Sequence, residues 1–107
     1  MAYKVLGQLA AAATTEEGLY AVPSASSAVV STIVVANRGT TSATYRIAVK
    51  PTAATTLANN HYIAYDVAIA ANDSTALTLG ITLSSSNAIR TYASNANLTF
   101  SAFGSEL

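Results

Sequence analysis

Short runs in which apolar and polar residues alternate with period two recur along most of the chain, and this constrains its fold more than any other feature. Leu77, Leu79, Ile81 and Leu83 fall on one side of a run whose other side is Thr78, Gly80 and Thr82. Tyr45, Ile47 and Val49 alternate with Thr44, Arg46, Ala48 and Lys50, and Leu98, Phe100 and Ala102 with Thr99 and Ser101. Successive side chains of a strand point to opposite faces, so such runs are strands with one face on a core and one toward solvent. By this rule Leu79 and Ile81 belong inside. The run from Val29 to Ala36 differs, because Val30 and Val34 lie opposite Val29, Ile33 and Val35. A strand covered on both faces reads this way, and we expect Val30 and Val34 to meet a partner.

Turn-forming residues separate the runs. Val22-Pro23-Ser24 ends one strand, since proline has no N–H for a ladder. Asn37-Arg38-Gly39-Thr40-Thr41 reads as a short hairpin connection, and Ala71-Asn72-Asp73-Ser74 and Ser84-Ser85-Ser86-Asn87 punctuate the second half. The longest connection, residues 50–60, is expected to cross between sheets. A brief helix there or in residues 10–17 is compatible with the alanine content. The spacing predicts about eight strands, at residues 3–9, 18–22, 28–37, 43–50, 62–70, 75–83, 88–94 and 97–106. The fold class is therefore all-β: a single antiparallel β-sandwich domain over residues 1–107, of jelly-roll or immunoglobulin-like type. An immunoglobulin domain proper is disfavoured, because its Cys and Trp markers are missing.

Composition then limits function. Only 9% of the residues are charged while 51% are hydrophobic. A solitary soluble domain carries more charge, roughly 25%, and a surface so poor in it is suited to being covered by protein. Five basic and five acidic residues leave no basic stripe, so nucleic acid is not an expected partner. The absence of cysteine excludes disulfides, thiolate catalysis and the usual zinc sites. No run approaches the roughly 18 apolar residues of a membrane helix. Residues 1–13 imitate a signal peptide, but Gly7 and Gln8 interrupt the apolar stretch, and we read a first strand there.

No catalytic constellation emerges. His61 would be the base of any Ser-His-Asp arrangement, with Asp66 or Asp73 orienting it, yet no Gly-x-Ser-x-Gly elbow is present. A turn or interface role is the expectation for His61. Asn72 and Asp73 could offer oxygens to calcium, but they lack any EF-hand-like spacing and read as a capped turn; no metal or cofactor is expected. Glu16-Glu17 reads as a solvated pair. Tyr3, Tyr20, Tyr45, Tyr62, Tyr65 and Tyr92 could build a carbohydrate platform, although strand tyrosines more often anchor cores and interfaces. Within Tyr62-Ile63-Ala64-Tyr65 the two tyrosines are expected on opposite faces. Asn72-Asp73-Ser74 and Asn97-Leu98-Thr99 match the glycosylation pattern by chance.

The order Leu19-Tyr20-Ala21-Val22-Pro23, then Val30-Ser31-Thr32-Ile33-Val34-Val35-Ala36-Asn37-Arg38-Gly39, then Tyr45-Arg46-Ile47-Ala48-Val49, resembles small virion structural proteins of tailed bacteriophages, those of cyanophages and other marine phages in particular. His61-Tyr62-Ile63-Ala64-Tyr65-Asp66, the Ala71–Ser74 turn, Leu79-Gly80-Ile81-Thr82-Leu83 and Phe100-Ser101-Ala102-Phe103-Gly104 continue the likeness from Val5 to Glu106. The resemblance implies a non-enzymatic virion component: a capsid decoration or cement subunit first, a neck, tail, baseplate or fibre domain second. Its partners would be the major capsid protein or other virion proteins, and a homo-oligomer, a trimer by preference, is expected. A carbohydrate-binding module is the alternative of another class. The candidate interface residues are Tyr65, Arg90, Val30, Val34 and Tyr20.

Overall fold

The computed structural model describes residues 2–52 and 56–107, with eight strands and one short turn of 3-10 helix. The strands are β1 (Ala2–Ala10), β2 (Glu17–Ala21), β3 (Ala28–Asn37), β4 (Ala43–Lys50), β5 (Tyr62–Ile69), β6 (Ser74–Leu83), β7 (Ala88–Ala93) and β8 (Leu98–Glu106). They form two antiparallel four-stranded sheets, a first sheet in the order β1-β8-β3-β6 and a second in the order β2-β7-β4-β5. β1 pairs with β8, β2 with β7, β3 with β6 and β4 with β5. The chain is thus one long antiparallel ribbon, folded back between β4 and β5 and rolled up. That is the strand order of a jelly roll, and it bears out the expected eight-stranded sandwich.

Two connections differ from expectation. β4 and β5 are neighbours in one sheet, so residues 50–60 close a long hairpin and do not cross between sheets. Residues 53–55 of that connection lie outside the described residues; Asn59–His61 form the 3-10 turn. Conversely, Asn37–Thr41 joins strands of different sheets and is a corner, not a hairpin. The corner is built on Asn37, which is buried. Its Nδ2 donates to the carbonyls of Thr41 (2.9 Å) and Ala70 (3.2 Å), and its Oδ1 accepts the N–H of Gly39 (2.9 Å). A buried amide is tolerated only when so satisfied, and here it ties the β3–β4 corner to the β5–β6 connection.

The core lies between the sheets. Tyr45, Phe100, Ile33, Ile47, Ile89, Leu98, Val30 and Val35 are its largest fully buried side chains. Tyr45 and Phe100 meet edge to face across it, with centroids 6.3 Å apart, a favoured aromatic geometry. Each such side chain contributes about 1.5–3 kcal/mol relative to exposure, which lets a chain without disulfides hold two sheets together.

A line of β-bulges crosses the first sheet. β1 shifts register between Val5 and Gly7, and β3 between Val30 and Thr32. Opposite the latter, Thr78 and Ile81 of β6 bracket Leu79 and Gly80. A bulge moves every later side chain to the other face. Val30 and Ile33 consequently both point inward, and Val30 is 0% exposed. The two-sided apolar pattern of β3 therefore records a phase change, and Val30 is a core residue that cannot touch a partner. Leu79 is corrected likewise: Gly80 adopts φ +63°, a conformation open to glycine, and Leu79 is turned to solvent at 46% exposure. Ile81 and Leu77 stay against the core.

Candidate functional site

The outer faces of the two sheets differ sharply in charge. Residues opposite one another on a ladder share a face, so the register assigns every outward position. On the first sheet one outer row runs Tyr3, Ser105, Val29, Thr82, a second Val5, Phe103, Thr32, Thr78, and a third Gln8, Ser101, Val34, Ala76. β3 and β6 contain no charged residue. The only two on the first sheet, Lys4 and Glu106, lie on the inward rows, where they pair at 2.8 Å. Among the described residues, then, the outer face of the first sheet carries no charge. It does carry exposed apolar side chains: Tyr3 (86% exposed), Val5, Val29 and, at the bulge, Leu79.

The second sheet presents the opposite. Arg46 of β4 donates from Nε to Asp66 Oδ1 at 2.7 Å and from Nη2 to Oδ2 at 3.3 Å. Its guanidinium lies 4.2 Å from the ring centroid of Tyr65 and 4.4 Å from that of Tyr92, a doubled cation–π contact. Chiefly through its hydrogen bond, Asp66 holds Arg46 even more firmly in its charged form. Tyr62 stands edge-on to Tyr65 with centroids 4.9 Å apart. The two rings meet because β5 also bulges: Ile47 and Ala48, adjacent on β4, oppose Ala64 and Tyr62, two apart on β5, which turns Tyr62 to the face of Tyr65; a second bulge follows, where Asp66 sits at φ 51°. The expectation of opposite faces for Tyr62 and Tyr65 fails for that reason. Arg90 of β7 pairs with Glu16 beside this cluster. Between them lies a depression of about 310 Å³, lined in part by Glu16, Arg46, Tyr62, Arg90 and Tyr92. A shallower one adjoins it at Tyr62, shared with Tyr65 and Asn59.

The expected contact residues therefore divide. Tyr65 is exposed and Arg90 is ion-paired, both at the cluster on the second sheet. Val34 is half-buried in the uncharged face of the first sheet. Tyr20 is half-buried: it packs against the core, and its hydroxyl donates to Glu106 of the other sheet. Burial, reinforced by Glu106, raises the Tyr20 hydroxyl well above the ordinary tyrosine range. The six tyrosines do not form one platform. Tyr45 is core, Tyr20 bridges the sheets and Tyr3 lies on the first sheet's outer face, while Tyr62, Tyr65 and Tyr92 gather.

His61 accepts the Ala58 N–H at Nδ1 (3.0 Å) within the 3-10 turn, while Asp66 is engaged by Arg46. Asp73 caps its own turn by accepting the Ser74 N–H at 2.8 Å. Among the described residues no three His, Asp or Glu side chains gather as a metal site would require, and no helix is long and apolar enough to cross a membrane. The sequence does not mark Arg46 as a site residue and offers Tyr92 only as one of six tyrosines, because only the pairing of β4 with β5 and β7 brings them to Asp66 and Tyr65. The uncharged face had a legible signal: residues 28–37 and 74–83 hold no Asp, Glu, Lys or Arg. In comparisons with protein-family models, curated proteins and solved structures, nothing matches the chain.

Proposed function

We propose that this jelly-roll domain is a non-enzymatic structural subunit of a tailed-phage virion, in first place a capsid decoration or cement subunit seated on the major capsid protein. The observation that carries this reading is the charge-free outer face of the first sheet. Interface cores are depleted of charge and enriched in apolar and aromatic groups, and Tyr3, Val5, Phe103, Val29 and Leu79 supply those groups here. Four strands about 4.8 Å apart and about 30 Å long offer about 600 Å². Covered once, that face would bury about 1,200 Å² in total, the lower bound of a specific stable interface. The choice of the major capsid protein as the occupant of that face rests on the resemblance along the chain to small phage virion proteins.

Quantitative mass spectrometry of purified particles tests the reading. Hundreds of copies per particle support a shell subunit, whereas a small multiple of three or six moves the chain to the neck or tail. Absence from the particle overturns the proposal. Light scattering on the isolated protein tests the expected trimer separately.

A further inference from the structure

The groove on the second sheet is explained neither by the fold nor by attachment through the first. Its walls include the rings of Tyr62 and Tyr92, and its cationic groups are two arginines, each already matched by a carboxylate: Arg46 with Asp66 and Arg90 with Glu16. A site for phosphate or another anion keeps positive charge uncompensated, and this one has none to spare. The pairing leaves fixed donors next to fixed acceptors along a neutral surface. Vicinal hydroxyl groups, each of which donates and accepts, match that alternation, and the apolar C–H faces of a pyranose ring match tyrosine rings. We propose that the groove bounded by Tyr62, Tyr92, Arg46, Arg90 and Glu16 binds a neutral saccharide.

Three features of the site support this. The guanidinium of Arg46 is held by two rings and a bidentate carboxylate, so little side-chain freedom remains to be lost on binding. The depression of about 310 Å³ falls at the small end of ligand pockets, roughly 300–1,000 Å³, which suits a mono- or disaccharide. The adjoining depression across Tyr62, with Asn59 and Tyr65 on its walls, gives room for a longer chain to continue. The groove lies on the sheet opposite the uncharged face, so a subunit attached by the first sheet would display it outward; the saccharide proposal does not depend on that attachment.

The test is an NMR titration of the full chain with maltose, cellobiose, lactose and N,N′-diacetylchitobiose, alongside inorganic phosphate and a sulfated heparin disaccharide. At least one neutral sugar is expected to give saturable shifts localised to Tyr62, Tyr92 and the Arg46 side chain. Tyr62→Ala and Glu16→Gln, with unchanged melting, should each weaken binding about tenfold, while Tyr62→Phe, which keeps the ring, retains most of it. Should the alanine variant not fold, the localisation of shifts in the unaltered protein and the Glu16→Gln result carry the test. No saturable shift with any neutral sugar, shifts away from the groove, or binding confined to the anionic probes overturns the proposal.

Discussion

Tyr20 of β2 donates its hydroxyl to the carboxylate of Glu106 at the end of β8, bridging the two sheets. Lys4 reaches the same carboxylate from β1 at 2.8 Å. The hydrogen bond from Lys4, then that from Tyr20, hold Glu106 below the usual carboxylate range.

A pH dependence follows with a definite sign at each end. Glu106 has a lowered folded-state pKa, so its contribution is complete above the ordinary glutamate value of about 4.3 and is lost as pH falls through the folded value. Tyr20 has a raised one, so its contribution is complete below the ordinary tyrosine value of about 10 and is lost as pH rises beyond it. Denaturant midpoints should be level between about pH 5 and about pH 9 and fall on both sides. In Tyr20→Phe both slopes should be shallower; unchanged slopes would show that the bridge contributes nothing.

Leu79 and Ile33 separate surface from core. Ile33 is fully buried and Leu79 is about half exposed. Ile33→Ala should cost about 2–5 kcal/mol through lost burial and a cavity, and Leu79→Ala about 1 kcal/mol. Equilibrium urea unfolding of the two variants measures this, and an equal loss in both would contradict the bulge at Gly80.

Two glycines carry the backbone geometry in different ways. A side chain at Gly104 would collide with the carbonyl oxygen of Val29, whereas one at Gly80 would meet open space but occupy a left-handed conformation. Gly104→Ala should therefore cost about 3 kcal/mol or more and Gly80→Ala about 1–2 kcal/mol. Thermal melting ranks them; the reverse order would place the close approach elsewhere.

The positions of all eight strands were legible because alternation and turn residues are local signals. Their faces were legible only between bulges. In β6 the alternation of Leu77, Leu79, Ile81 and Leu83 looks unbroken, yet Gly80 turns Leu79 out, and a lone glycine in a strand does not say which neighbour it displaces. In β3 the same effect made Val30 look like a contact residue. The long loop before Tyr62 gave no local sign that β4 and β5 pair within one sheet, since hairpin or crossover is decided by which edge of the sandwich is free. Arg46, Tyr65, Asp66 and Tyr92 lie on three strands, and their meeting is a property of register alone.

Attachment through an uncharged face should respond little to ionic strength. Screening acts on charge pairs, and the outer rows of the first sheet contain none. Particles washed from about 0.05 M to about 1 M salt should keep the protein, as judged by gel densitometry of the pellet. Release at moderate salt would shift attachment to the face holding Arg46 and Arg90.

The most direct measurement places one charge on that face. Thr78 is exposed in its second outer row, so Thr78→Glu should leave melting within about 0.5 kcal/mol of the unaltered chain. Against a partner it would bury an unpaired carboxylate, which is strongly unfavourable. Co-sedimentation with particles stripped of this subunit compares it with Thr44→Glu, a substitution on the second sheet. Thr78→Glu is expected no longer to sediment with the particle while Thr44→Glu still does; full retention of Thr78→Glu would contradict attachment through this face.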